Sequence, residues 1–207
     1  MNIRSIMRLA PVIPVITIEE PEQALPLAEA LLQGGLRVLE ITLRTPAGLA
    51  AISAIRQQFP EAVVGAGTVI DKAGFAAAAD SGAQFIVSPG CTTALLQAAS
   101  NYQLPLLPGV CTPSEVMQLL EQGITAMKFF PAEPAGGIDM LKAMAAPLPQ
   151  ALFCPTGGIT YEKAAAYLAL PNVACIGGSW MVNRDWVSNG RWLDIQAAAH
   201  KAAALAT

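Results

Sequence analysis

Residues 38–46 run Val38-Leu39-Glu40-Ile41-Thr42-Leu43-Arg44-Thr45-Pro46. Alternation sets Leu39, Ile41 and Leu43 on one face and Glu40, Thr42 and Arg44 on the other, which is the period of a β-strand. Thr45 then offers a capping hydroxyl, and Pro46 suits the first position of a helix. Residues 49–57 follow with the Ala, Leu and Ile spacing of an amphipathic helix. The unit is a strand running directly into a helix, and it recurs along the chain. Strand-like runs lie at 12–18, 38–44, 63–68, 85–88, 104–107, 126–130, 152–156 and 173–176. Helical segments lie at 25–32, 49–57, 73–80, 94–99, 115–121, 139–145, 162–168 and 195–205.

Eight alternations in 207 residues leave about 26 residues per unit, tight but workable for βα modules. The punctuation agrees. Thr112-Pro113 repeats the cap-then-proline signal, and Glu115 completes a capping box with Thr112. Gly34-Gly35, Gly82 and Gly123 stand where helices should stop. The strands are apolar enough to be covered on both faces, as parallel strands flanked by helices are. The expectation is a single (β/α)8 TIM barrel over residues 1–207, with a short helix at 4–9 closing its floor. A doubly wound open sheet is the competing architecture, but no G-x-G-x-x-G motif opens the first helix.

Composition excludes several classes of function. The chain is 54% hydrophobic and 13% charged, against a usual charged share of ~25%, so it is not a disordered chain. Its net charge of −3 and the lack of any Lys/Arg-rich block argue against nucleic acid as a partner. The uncharged stretch 81–114 is broken by Pro89, Gly90, Pro105 and Pro108, so no membrane span is expected there. No cleavable leader is evident, and the expected location is the cytoplasm. Cys91, Cys111, Cys154 and Cys175 are widely spaced, as four small buried hydrophobes would be. With a single histidine, His200, and no C-x-x-C pair, no metal cluster and no cofactor are expected.

The chemistry lies in polar residues that interrupt apolar strands. If Leu39, Ile41 and Leu43 pack outward on helices, then Glu40, Thr42 and Arg44 point into the barrel. Glu40 and Arg44 would then stand roughly 13 Å apart along the strand. In Ala126-Met127-Lys128-Phe129-Phe130, an outward Met127 and Phe129 leave Lys128 and Phe130 inside. Lysine is almost never fully buried without a reason. Burial disfavours the ammonium form, and the neutral amine is the form that attacks a carbonyl carbon. The other lysines, Lys72, Lys142, Lys163 and Lys201, fall on helical segments where solvent explains them. A structural pairing of Lys128 with Glu40 is the plainer alternative.

Two glycine turns, Pro155-Thr156-Gly157-Gly158 and Gly177-Gly178-Ser179, follow the last two strand-like runs. Glycine admits an anion close to backbone N–H groups, and barrels of this kind often hold phosphate after strands seven and eight. Thr68, ending Gly65-Ala66-Gly67-Thr68, could add a hydroxyl at the barrel mouth, while Ser88-Pro89-Gly90 and Pro108-Gly109 read as tight turns. A buried amine, an inward carboxylate and guanidinium, and a phosphate cradle suit Schiff-base chemistry on a phosphorylated keto acid.

Six segments in order resemble the 2-keto-3-deoxy-6-phosphogluconate (KDPG) aldolases: 39–45, 65–69, 85–90, 128–133, 153–159 and 175–180. Segments 128–133 and 154–158 set the chain apart from the phosphogalactonate aldolases. The resemblance implies a cytoplasmic, homotrimeric class I aldolase of the Entner–Doudoroff pathway, with pyruvate and a phosphorylated keto acid as its small-molecule partners. It also implies a second activity on 4-hydroxy-2-oxoglutarate. By the same resemblance Lys128 forms the Schiff base and Glu40 is the acid/base, partly through water. Arg44 and Thr68 take the carboxylate, and Pro89 and Phe130 shape that pocket. Thr156 lines the site, and Gly157, Gly158 and Ser179 receive the phosphate. A phosphogalactonate-type or other pyruvate-dependent aldolase is one alternative, and a non-catalytic phosphate-metabolite-binding barrel is another.

Overall fold

A computed structural model describes residues 1–205. Strands β1 (Val12–Ile16), β2 (Val38–Thr42), β3 (Val63–Gly67), β4 (Phe85–Val87), β5 (Leu106–Leu107) and β9 (Ile176–Gly178) form a six-stranded parallel sheet in the order β5-β4-β3-β2-β1-β9. Strands β6 (Gly109–Val110), β7 (Ala126–Phe129) and β8 (Leu152–Pro155) form a second, three-stranded parallel sheet. Only Pro108 separates β5 from β6. Isolated parallel bridges join Thr156 to Gly177 and Phe153 to Val173. Register sets Val15 beside Glu40 and Glu40 beside Gly65, and in the other sheet Gly109 beside Lys128 and Lys128 beside Cys154.

Helices α2 (Ala24–Gln33), α3 (Ala47–Gln58), α4 (Lys72–Asp80), α5 (Thr93–Tyr102), α6 (Pro113–Glu121), α7 (Gly137–Ala145), α8 (Tyr161–Leu168) and α10 (Trp192–Ala203) alternate with the strands. Their apolar faces and the outward strand residues Leu39, Ile41, Met127 and Phe129 make the larger core. A second apolar cluster joins Ile13, Val38, Phe85, Leu107, Ala126 and Cys154, residues drawn from both sheets, so the sheet curls around a common interior. Helix α1 (Ile3–Met7) seals that interior with Ile6 and Met7, both at most 1% exposed. The expected floor helix is therefore present.

Several local expectations change. The last strand begins at Ile176, so Gly177-Gly178 lies inside β9 instead of forming a turn after it. A Cβ on Gly177 would stand 2.3 Å from Thr156 Oγ1 on the neighbouring strand, so glycine here serves close packing. Pro108-Gly109 is likewise strand-like: Pro108 O accepts from Lys128 N at 2.9 Å, and Gly109 pairs with Lys128. Thr45 does not cap α3; its hydroxyl donates to Ile18 O and ties the loop after β1 to the loop after β2. The Thr112–Glu115 capping box forms as expected. Cys154 and Cys175 are buried, whereas Cys91 and Cys111 are only half-buried and all four are free. Burial raises the Cys91 thiol to about 11. A 3-10 turn (Pro21–Gln23) and α9 (Arg184–Ser188) were not foreshadowed by the alternation. Among the described residues no helix is long and apolar enough to cross a membrane.

Candidate active site

Lys128 on β7 and Glu40 on β2 meet in the interior. Lys128 Nζ donates to Glu40 Oε1 at 3.2 Å, with the two side chains 6% and 4% exposed. Their strands belong to different sheets, yet both side chains occupy inward positions of the two-residue period. The space for the carboxylate comes from β3: a Cβ on Gly67 would sit 2.3 Å from Glu40 Oε1, and one on Gly65 would strike the Phe85 ring at 2.4 Å. Glycines two apart on a strand mark a close approach on one face. That signal was present in the sequence, although only Thr68 of this segment was read as part of the site.

The Lys128 ammonium lies 5.2 Å from the centre of the Phe130 ring, close enough for a favourable cation–π contact. A hydrogen bond with Cys154, burial and the nearby Glu40 carboxylate hold the Cys175 thiol well above its ordinary range. The remaining lysines, Lys72, Lys142, Lys163 and Lys201, are exposed, so Lys128 is the one lysine withdrawn from solvent.

A cavity of about 480 Å³ opens on the Phe130 ring that Lys128 faces; Lys128 and Glu40 do not themselves line it. Six of the residues singled out from sequence line it: Arg44, Phe130, Thr156, Gly157, Gly158 and Ser179. Arg44 lies just past the end of β2, and its Nε donates to Thr68 Oγ1 at 3.2 Å. Thr68 adopts φ of 61°, a left-handed conformation that a β-branched residue rarely takes. Backbone strain of this kind concentrates at functional sites. Thr68 itself and Pro89 do not line the cavity; Pro89 instead backs on to Gly109, where a Cβ would meet its carbonyl oxygen at 2.2 Å. The turn at Gly157-Gly158 is held from behind, since Ala132 N donates to Thr156 O and Glu133 N to Gly157 O. Glu133 in turn accepts from Lys163 and from Tyr167 Oη.

The cavity wall also includes Val15, Thr17, Glu19, Gln23 and Arg184, none of which was picked out from sequence. Val15 and Thr17 continue the inward face of Ile13, and Thr17 Oγ1 shares a 2.9 Å hydrogen bond with Thr42 Oγ1. The alternation used on β2 would have found them on β1. Glu19 and Arg184 stand on loops and a short helix, where periodicity gives no warning. The arrangement provides an amine beside a proton acceptor, a guanidinium for a planar carboxylate, and a glycine-lined recess suited to an anion.

Residues 3–198 match the family described as KDPG and KHG aldolase. The KHG/KDPG aldolase of Escherichia coli K12 is 48% identical over 198 residues, covering 96% of this chain and 93% of that protein. The 2-dehydro-3-deoxy-phosphogluconate aldolase of Pseudomonas aeruginosa is 46% identical over 201 residues, covering 97% and 91%. Among solved structures, the KDPG aldolase of Legionella pneumophila, with pyruvate captured at low pH as a covalent carbinolamine intermediate, superposes with a TM-score of 0.96. It is 46% identical, and the match covers 99% of each chain.

Proposed function

The chain belongs to the KDPG and KHG aldolase family, and from that premise we propose that it is a class I aldolase. It cleaves 2-keto-3-deoxy-6-phosphogluconate to pyruvate and glyceraldehyde 3-phosphate, and 4-hydroxy-2-oxoglutarate to pyruvate and glyoxylate. The observation that carries this reading is the buried Lys128–Glu40 pair at 3.2 Å, against a Phe130 ring that lines a cavity with an arginine and a glycine turn in its wall.

Glu40 takes a proton from the Lys128 ammonium, and the freed amine attacks the C2 carbonyl to give a carbinolamine. Protonated Glu40 returns its proton to the departing hydroxyl, so water leaves and an iminium forms. The Glu40 carboxylate, directly or through a water, then removes the C4 hydroxyl proton. The C3–C4 electron pair flows into the iminium, an aldehyde departs and an enamine remains. Protonated Glu40 gives its proton to C3, and water hydrolyses the resulting iminium, freeing pyruvate and restoring the Lys128 ammonium beside the Glu40 carboxylate. Arg44, steadied by Thr68, holds the carboxylate through parallel hydrogen bonds, and Pro89 and Phe130 bound that end. Thr156 lines the wall, and Gly157, Gly158 and Ser179 receive the phosphate. No cofactor enters the cycle.

On the same reading the two sheets are parts of one (β/α)8 barrel and one domain, with Pro108 joining β5 to β6 and the Thr156–Gly177 bridge joining β8 to β9. The barrel works in the cytoplasm as a homotrimer. The test of function is intact mass after incubation with pyruvate and borohydride. One reduced adduct that maps to Lys128 and is absent from Lys128→Ala is expected. A folded protein with no adduct, or an Ala variant with near-normal turnover, overturns the reading.

A further inference from the structure

Two arginines and one glutamate stand in the cavity wall. The cations in its wall, among the described residues, are Arg44 and Arg184. Arg44 is tied to Thr68 beside the catalytic pair and belongs to the carboxylate end. The glycine turn at 157–158 and the 177–179 segment offer backbone N–H groups and one hydroxyl, but no charge of their own. A phosphate monoester carries about −1.5 to −2 at neutral pH, so this end calls for a cation, and Arg184 lines the same cavity.

Arg184 opens α9, six residues after Gly178 in the chain, and its side chain is 86% exposed. It stands 4.0 Å from Glu19, which lies beyond β1, is 49% exposed and also lines the cavity. An ion pair this open contributes little and breaks easily. The adjacent Asp185 faces Arg191 at 3.8 Å, so the acid facing Arg184 across the cavity mouth is Glu19.

We infer that Arg184 is a specificity-determining residue that leaves Glu19 to meet the phosphate of the substrate, so that Glu19 tunes how strongly the enzyme prefers phosphorylated over unphosphorylated keto acids. The inference rests on the aldolase reading above and adds to it a residue outside the glycine cradle. Because Arg184 is far from the reacting carbons in chemical role, its effect belongs in substrate capture and not in the bond-breaking step. A long, solvated side chain also makes the effect sensitive to salt.

The experiment compares steady-state cleavage of 2-keto-3-deoxy-6-phosphogluconate and 4-hydroxy-2-oxoglutarate by the full chain and by Arg184→Gln, Arg184→Lys and Glu19→Gln. Arg184→Gln is expected to raise KM for the phosphorylated substrate about fivefold, with kcat and both constants for the unphosphorylated substrate within about twofold. Arg184→Lys should restore most of the loss, and Glu19→Gln should lower the same KM about twofold. Raising ionic strength should narrow the gap between the native enzyme and Arg184→Gln. An active enzyme whose Arg184→Gln variant shows an unchanged ratio of the two KM values, or equal losses on both substrates, overturns the inference and leaves the aldolase reading standing. A folded native protein that cleaves neither substrate overturns both.

Discussion

Gly67 shows how much of the site depends on an atom that is not there. Its missing Cβ is the space into which the Glu40 carboxylate fits, with Oε1 2.3 Å from where that carbon would be. Glu40 is 3% exposed and has nowhere to retreat, so a methyl group would turn the carboxylate away from Lys128. Gly67→Ala is expected to stay folded by circular dichroism and to lose about a hundredfold in kcat, the usual penalty for a misplacement of about 1 Å at a reacting group. The lysine and the glutamate themselves were legible, because a charge inside an apolar run is costly enough to demand a partner. Thr68 was legible as a residue type but not as a strained one: left-handed φ at a β-branched residue is imposed by tertiary context, and no local pattern encodes it.

The elements around the glycine turn at 157–158 are tied together by a second carboxylate. Glu133 follows β7, accepts from Lys163 and Tyr167 of α8, and sends its own N–H to Gly157 O at 3.0 Å. The Lys163 hydrogen bond and then that of Tyr167 hold the Glu133 carboxyl below its ordinary value of 4.5. Burial, then the Glu133 bond, pushes the Tyr167 phenol up. A carboxyl depressed in the folded state stabilises the fold fully above its unfolded value and loses that contribution as pH falls through the folded one. Glu133→Gln should therefore melt about 2–4 °C lower at pH 7, with the gap closing as pH drops below 4.5 toward the folded value. A gap that stays constant down to acid-induced unfolding would contradict this role. Strand and helix alternation was readable because each element repeats a simple period. The cluster of Glu133, Lys163 and Tyr167 was not, since it joins a loop to a helix 30 residues further on. The strand at Gly109–Val110 was misread as a turn for a related reason, since proline and glycine signal turns unless a neighbouring strand claims their backbone groups, as Lys128 does here.

At the scale of the whole molecule, helix α1 acts as a plug. Met7 is fully buried and joins Ile6 beneath the interior residues of both sheets. Truncation of a buried methionine costs about 2–5 kcal/mol, part of it for the cavity left behind. Met7→Ala is expected to shift the denaturant midpoint accordingly while keeping pyruvate trapping at Lys128 at 25 °C. Loss of trapping in the still-folded variant would mean that the floor also sets the geometry of the amine. The plug was legible as a short helix ahead of the first strand, with the adjacent Ile6 and Met7 on its buried side.

The Lys128–Glu40 pair spans 88 positions of the chain and bridges two sheets that share no direct β2–β7 ladder. Neither half of the molecule can assemble it alone. Contacts between residues this distant in sequence form late, after local helices and neighbouring strands have gained their structure. In a partly folded chain Lys128 is as solvated as the lysines on the helices. On the aldolase reading, trapping of pyruvate at Lys128 requires this long-range closure, so the reaction itself would report on folding.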